Sequence, residues 1–154
     1  MTSTITSRFF YHIYPLGMCG CPARNDFVSP AGNGLVSLID RIPHLVSLGI
    51  NAVYIGPLFE STAHGYDTVD YYHVDRRLGN NDDLKALVSA MHSAGIAVVL
   101  DAVFNHTGRD FFAFRDLQEK GRDSAYRNWY RGVDFSNRSP AGDDFSYEGW
   151  SGHY

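Results

Sequence analysis

The chain has 154 residues, of which 44% are hydrophobic and 19% charged, which is typical of an ordinary globular domain. Its formal net charge of −4 and its lack of basic runs exclude the electrostatic signature of a nucleic-acid-binding protein. The sequence lacks an apolar run of about 18 residues, so it predicts no membrane span. The polar N-terminus shows no signal-peptide pattern, so we expect a cytoplasmic protein.

The first predicted elements are a strand and a long loop. Residues Phe9–Tyr14 form an aromatic run bounded by proline and glycine, which predicts a strand. Residues 17–34 are rich in Gly, Pro and Asn and predict a loop. This loop contains Cys19 and Cys21, and their separation by one residue is poor geometry for a mutual disulfide. We therefore expect two reduced thiols.

A helix and a second strand follow the loop. Apolar residues recur at helical spacing between Leu35 and Leu48, which predicts a helix that ends at Gly49. Pro43 lies inside this pattern and is expected to kink or split the helix. The short β-type run Ala52–Ile55 predicts the second strand.

The next segment is predicted to be a polar loop, then a helix and a third strand. The loop covers roughly residues 60–80. Asn81 is the predicted N-cap of the helix, since two aspartates follow it where negative charge suits the helix dipole. Gly95 ends this helix, and the apolar run Ile96–Leu100 predicts a buried strand. A further helix is predicted over 111–120, and the chain after Gly121 shows no clear periodicity.

The order of these elements predicts the architecture. Short strands that alternate with helices imply parallel pairing and right-handed crossovers. The helix-to-strand joints are tight, whereas the strand-to-helix loops are long and polar. In (β/α) barrels the strand-to-helix loops carry the active site, so the polar residues in these loops are the candidates for function.

The loop after the second strand contains the first candidates. Gly65 permits a sharp turn, Tyr66 offers a flat ring on which a sugar can stack, and His64 and Asp67 can hydrogen-bond hydroxyl groups. The alternative interpretation is a polar turn that aspartate side chains hold and the tyrosine ring covers. Composition alone does not separate these two interpretations.

The residues after the third strand are the second group of candidates. Asp101, Asn105 and His106 follow a buried strand directly, with aromatic and small residues between them. A single histidine is commonly a satisfied structural imidazole. This concentration of polar groups at a strand end instead favours a functional site.

Four stretches together resemble the alpha-amylase family of glycoside hydrolases. They occur in the family's order and cover roughly residues 8–112: FYHIYP, NAVYIGPLFES, HGYDTVDYYHVDRRLG and DAVFNH. The resemblance implies an α/β fold: a partial (β/α)8 TIM barrel, with the first three βα units up to strand three, plus the start of the inserted domain B. Residues 1–104 would be the barrel portion and residues 105–154 the beginning of domain B.

The resemblance also implies roles for single residues. Tyr66 would stack on the sugar next to the scissile bond, and His64 and His106 would hydrogen-bond its hydroxyls. Asp101 would be a buried acid that holds an arginine near the nucleophile, and Asp67 would likewise support the site from behind. Asn105 would be a calcium ligand in those family members that bind the ion.

The function implied is that of the N-terminal part of a hydrolase or transglycosylase acting on α-linked glucans with a retaining mechanism. The sequence Ala63-His64-Gly65-Tyr66 is closer to amylase-like and cyclomaltodextrinase-like members than to exo-glucosidases. The family's catalytic carboxylates come from later strands, so none is assigned in this chain, and the isolated chain is expected to be inactive. The remainder of the barrel or another copy is expected to cover the open sheet edge.

Two other functions stay open at this point. One is a non-catalytic truncated barrel that binds sugars or a protein partner. The other, which does not rely on the resemblance, is a small self-contained α/β binding domain.

Overall fold

The computed structural model describes residues 7–149; residues 1–6 and 150–154, at the ends of the two predicted domains, lie outside this range. The strands are β1 (Phe10–Ile13), β2 (Ala52–Ile55), β3 (Phe59–Ser61), β4 (Thr68–Val74) and β5 (Ala97–Leu100). The α-helices are α1 (Pro15–Met18), α2 (Gly34–Ile39), α3 (Ile42–Ser47), α4 (Asn81–Ser93) and α5 (Phe112–Lys120). Short 3-10 turns follow at Gly121–Asp123 and Arg127–Trp129.

Three of the strands form the predicted parallel sheet. Its order is β1-β2-β5, and β2 pairs with both neighbours. Val53 and Ile55 on the central strand are fully buried, as are Leu87 and Met91 on α4. These side chains belong to one apolar core shared by the sheet and the helices, which confirms the α/β arrangement.

The predicted interruption at Pro43 is confirmed. Helix α2 ends at Ile39 and α3 begins at Ile42, so the proline falls in the first turn of the second helix. There its missing N–H leaves no helical hydrogen bond unmade. Gly49 follows α3 with φ 75°, the left-handed conformation that commonly ends a helix.

The N-cap of α4 is Asn80, so the prediction of Asn81 is wrong by one residue. The Asn80 side chain accepts hydrogen bonds from the amides of Asp82 and Asp83, and the Asp83 carboxylate accepts one from the Asn80 amide. This is a reciprocal capping box. Asn81 instead binds the backbone of β4, accepting from the Val74 amide and donating to the Tyr72 carbonyl.

The predicted polar loop over 60–80 is wrong, because much of it is an antiparallel hairpin. Strands β3 and β4 pair with a bulge on either side of Glu60. A buried ion pair helps to hold the hairpin: the Asp75 carboxylate is fully buried and accepts from the Arg77 guanidinium at 2.6 Å. The short helix α1 likewise begins just before the predicted loop of residues 17–34 and extends into it.

The chain after β5 builds a second, smaller core around α5, which confirms the helix predicted over 111–120. Phe114 and Leu117 of α5 pack with Phe145, and four partly buried side chains complete this cluster: Tyr130, Val133, Phe135 and Tyr147. An isolated bridge between Asp134 and Ser146 closes the irregular segment. Within residues 7–149, none of the helices combines the length and apolarity that crossing a membrane requires.

Candidate active-site edge

The loops after β2 and β5 meet at the carboxyl edge of the parallel sheet. The His106 Nε2 atom lies 2.9 Å from the Tyr66 carbonyl oxygen, and its Nδ1 atom lies 3.2 Å from the Asn105 amide nitrogen. A carbonyl only accepts and an amide nitrogen only donates, so both contacts are satisfied when neutral His106 carries its proton on Nε2. These two contacts restrain the orientation of the imidazole and fit the tautomer that is protonated on Nε2.

The loop between β3 and β4 brings three predicted residues together. The Tyr66 residue is 42% exposed, and its ring centroid lies 6.1 Å from that of His64. The His64 Nδ1 atom accepts from the Tyr66 amide at 3.3 Å and lies 3.6 Å from the Asp67 carboxylate. Asp67 itself is buried, and within residues 7–149 its Oδ1 atom has no hydrogen-bond partner. An exposed ring therefore stands beside an imidazole and a buried acceptor.

Two side chains from other elements fix the backbone of this loop. The Tyr14 hydroxyl, which follows β1, donates to the His64 carbonyl at 3.0 Å. The Arg77 guanidinium donates to the Ala63 carbonyl at 2.7 Å and to the Pro22 carbonyl at 2.9 Å. Both contacts restrain the loop at or next to His64, so the candidate residues sit on a fixed backbone.

Asp101 is half-buried rather than buried, because it ends an outer strand of the sheet. Its Oδ1 atom accepts from the Val103 amide at 3.3 Å. A side-chain hydrogen bond to Asp101 and partial burial together raise the pKa of Tyr54 to about 12, so this phenol stays protonated and donates to the carboxylate. Within residues 7–149, Asp101 is thus joined to the central strand through Tyr54.

The expected calcium ligand Asn105 is exposed and bonded to His106. Within the described part of the chain, no group of three or more His, Cys, Asp or Glu side chains is placed to hold a metal ion. Calcium takes six to eight oxygen ligands. A single amide oxygen does not fit that requirement, so calcium binding remains a prediction.

The acidic residues of the last segment are engaged in local contacts. Although burial opposes it, hydrogen bonds from Arg109, Ser139 and Gln118 lower the pKa of Asp143 to about 2. An acid with so low a pKa does not donate a proton near neutral pH. Asp144 pairs with Arg138 in the same way at the surface.

Four side chains that the sequence does not single out make hydrogen bonds that support this edge: Tyr14, Tyr54, Tyr71 and Arg77. Each acts on a residue distant in the chain, as in the contact of Tyr71 with the His106 carbonyl at 2.9 Å. The useful signal was the unusual number of tyrosines next to the polar stretches.

A parallel β/α sheet with aromatic and imidazole groups at its carboxyl edge is how barrel-type enzymes arrange their binding loops. Residues 24–154 match the catalytic domain of the alpha-amylase family. The chain is 38% identical to a cyclomaltodextrinase of a Bacillus species over 94% of its own length. The chain therefore belongs to the alpha-amylase family.

Three further proteins are also similar to this chain. Neopullulanase 2 of Thermoactinomyces vulgaris is 46% identical over 68% of the chain. The native debranching enzyme of Nostoc punctiforme superposes with a TM-score of 0.78 at 34% identity, over 97% of this chain and 34% of that one. A cyclic alpha-maltosyl-(1→6)-maltose hydrolase of Arthrobacter globiformis, in complex with maltose, gives a TM-score of 0.77 at 35% identity, over 96% of this chain and 36% of that one.

The chain is much shorter than these proteins. It spans 29% of the cyclomaltodextrinase and 18% of the neopullulanase.

Proposed function

We propose that this chain forms part of the glucan-binding wall of an α-glucan-active glycoside hydrolase. His64, Tyr66 and His106 contact the sugar: the tyrosine ring stacks on its C–H face, and the imidazoles hydrogen-bond its hydroxyls. The observation that carries the proposal is the 2.9 Å contact between the His106 Nε2 atom and the Tyr66 carbonyl, which joins the two candidate loops at one edge of the sheet.

The buried Asp67 oxygen supports the same assignment. A buried acceptor without a partner is costly, and this one lies 3.6 Å from His64 Nδ1 beside the exposed Tyr66 ring. A hydroxyl donor from a sugar would satisfy it. Asp101, held between Tyr54 and the Val103 amide, supports the site from behind the sugar in this proposal.

The proposal includes the first three βα units of a (β/α)8 barrel over residues 1–104 and the start of domain B over residues 105–154. Two separate apolar cores, one around the sheet and one around α5, support the division. The outer strands β1 and β5 carry exposed apolar side chains, with Phe10 45% and Val99 40% exposed. Parallel sheets are normally covered on both faces and edges, so further polypeptide or another copy is proposed to complete the barrel.

The reacting carboxylates are proposed to come from polypeptide beyond this chain. A retaining glycosidase needs two carboxyl groups about 5–5.5 Å apart across the bond. The depressed pKa of Asp143 and its bonds to Arg109 argue against a catalytic role for this acid. We therefore expect the purified chain to release no reducing sugar from soluble starch, and clear hydrolysis would contradict this part of the proposal.

An intracellular location of the whole protein is also proposed. The chain is 36% identical over 71% of its length to a protein of Bacillus subtilis named intracellular maltogenic amylase. Fractionation of the native host, with immunodetection of the chain, tests this proposal; detection in the culture medium would contradict it.

Saturation-transfer NMR with the purified chain tests glucan binding. Maltotriose should receive saturation from the protein, and the β-linked disaccharide cellobiose should receive much less. His106→Ala should abolish the maltotriose signal. The matched control is His73→Ala, since His73 is exposed and pairs with Asp70 on β4. Equal signals for the two sugars, or an unaffected His106→Ala variant, would overturn the assignment.

A further inference from the structure

Tyr71 of β4 reaches across to the loop that carries His106. Its hydroxyl oxygen lies 2.7 Å from the Val103 carbonyl oxygen and 2.9 Å from the His106 carbonyl oxygen. A phenol has a single proton, so the hydroxyl shares it between the two carbonyls in a bifurcated hydrogen bond. One side chain on the hairpin thereby holds both ends of the segment 103–106.

The segment that Tyr71 holds is strained. Val103 has φ 33°, a conformation that is unfavourable for a β-branched residue. Its amide donates to the Asp101 carboxylate at 3.3 Å, and its carbonyl accepts from the Tyr71 hydroxyl. Both polar backbone groups of the strained residue are therefore fixed by side chains. Such a conformation persists only where its surroundings enforce it.

The Tyr71 ring is itself well anchored. Its centroid lies 5.6 Å from that of Phe104, 5.8 Å from that of Phe111 and 6.3 Å from that of Phe59. Burial raises the pKa of Tyr71, so the hydroxyl remains a donor across the physiological range. Phe59 and Phe111 lie outside the segment 103–106, so the position of the hydroxyl is set in part by rings that do not belong to the loop it holds.

The loop contacts the same hairpin at two further points. The Gly108 amide donates to the Thr68 carbonyl at 2.8 Å, and His106 Nε2 contacts the Tyr66 carbonyl at 2.9 Å. A Cβ atom at Gly108 would lie 2.4 Å from the Asp67 carbonyl oxygen, so the two backbones touch there. The loop that carries His106 therefore packs against the β3–β4 hairpin.

We propose that Tyr71 is a positioning residue for sugar recognition, whose hydroxyl holds the 103–106 turn so that the His106 imidazole keeps its bond to the Tyr66 carbonyl. This inference rests on the proposed function, in which His106 contacts the glucan. Tyr71 acts through the backbone and does not itself touch the sugar.

The test is the tautomer of the neutral His106 imidazole in the full chain, read from its ¹⁵N shifts. His106→Gln identifies the signals. In the wild type the Nδ1 and Nε2 shifts should be widely separated, with the proton on Nε2. Tyr71→Phe keeps the ring and removes the hydroxyl, so the two shifts should converge as the tautomer preference is lost. Tyr72→Phe is the matched control, because Tyr72 is 86% exposed.

A folded Tyr71→Phe variant with the wild-type imidazole shifts would overturn the proposal. If that variant does not fold, hydroxyl exchange in the wild type decides, measured by the deuterium isotope shift at the tyrosine Cζ. Slow exchange at Tyr71 relative to Tyr72 is the expected result, and equally fast exchange would overturn the proposal. Absence of maltotriose binding to the wild type, with these signatures intact, would instead remove the proposed function and leave the positioning of His106 standing.

Discussion

Replacing Arg77 by Met should strongly destabilise the fold. The Arg77 side chain is 5% exposed and its Asp75 partner is fully buried. The guanidinium donates to both Asp75 oxygens, at 2.8 and 2.6 Å, and to the Ser61 hydroxyl at 2.9 Å. The substitution retains much of the apolar stem volume but leaves a buried carboxylate without its counter-charge. Breaking a buried pair in this way costs about 3–5 kcal/mol of unfolding free energy.

A double-mutant cycle sharpens this prediction. Asp75→Asn removes the charge while retaining an amide oxygen that can accept from the Ser61 hydroxyl, which now donates to Asp75 at 2.8 Å. The double variant therefore buries no unpaired charge and should be more stable than Arg77→Met alone. Urea unfolding of the four proteins, with similar m-values, gives the coupling energy.

The control is Arg138→Met, which breaks the Arg138–Asp144 pair at the surface. Its N···O distance is 2.6 Å, as in the buried pair, but its side chains are 75% and 87% exposed. Exposed pairs contribute little to stability, so no measurable change is expected. A stabilising role of the buried pair is ruled out if Arg77→Met is as mild as this control, or if the Asp75→Asn and Arg77→Met effects on unfolding free energy simply add.

Two further predictions concern the α4 cap and the domain B segment. Asn80→Ala should lower the unfolding free energy by about 1 kcal/mol in urea titrations, because it removes the capping box of α4; an unchanged midpoint would contradict the cap assignment. The Asp143 carboxyl has a folded pKa of about 2 against its ordinary 3.8, so its stabilising effect is present above pH 4 and disappears as pH falls towards 2. Asp143→Asn should therefore flatten the loss of stability across that interval, and equally steep curves would contradict the prediction.

The sequence predicted the parallel sheet well because its strands are short apolar runs between helices with clear stop signals. Gly49 and Gly95 end their helices with φ 75° and 77°, as their positions after apolar stripes indicated. The hairpin β3–β4 escaped prediction because its stability comes from pairing and burial across the chain. Polar residues in β4 resemble a loop locally, and the buried Asp75–Arg77 pair that secures them is visible only in three dimensions.

The sequence singles out candidate site residues, but it does not single out the side chains that support them. His64, Tyr66 and His106 could be selected because polar groups follow buried strands at the edge where (β/α) folds place function. The supports Tyr14, Tyr54 and Tyr71 act over 50, 47 and 32–35 residues of sequence, respectively. A tyrosine in a strand carries no local sign that its hydroxyl will hold a distant loop.

In the proposed complex an α-linked glucan lies on the Tyr66 ring beside His106. Isotope-filtered NOE measurements between the labelled chain and unlabelled maltotriose test it most directly. NOEs are expected from the Tyr66 ring protons to the H-3 and H-5 protons of a glucose unit, and from the His106 ring to the same unit. Both should be lost in Tyr66→Ala. NOEs that arise only elsewhere on the chain, or that survive Tyr66→Ala unchanged, would contradict this binding mode.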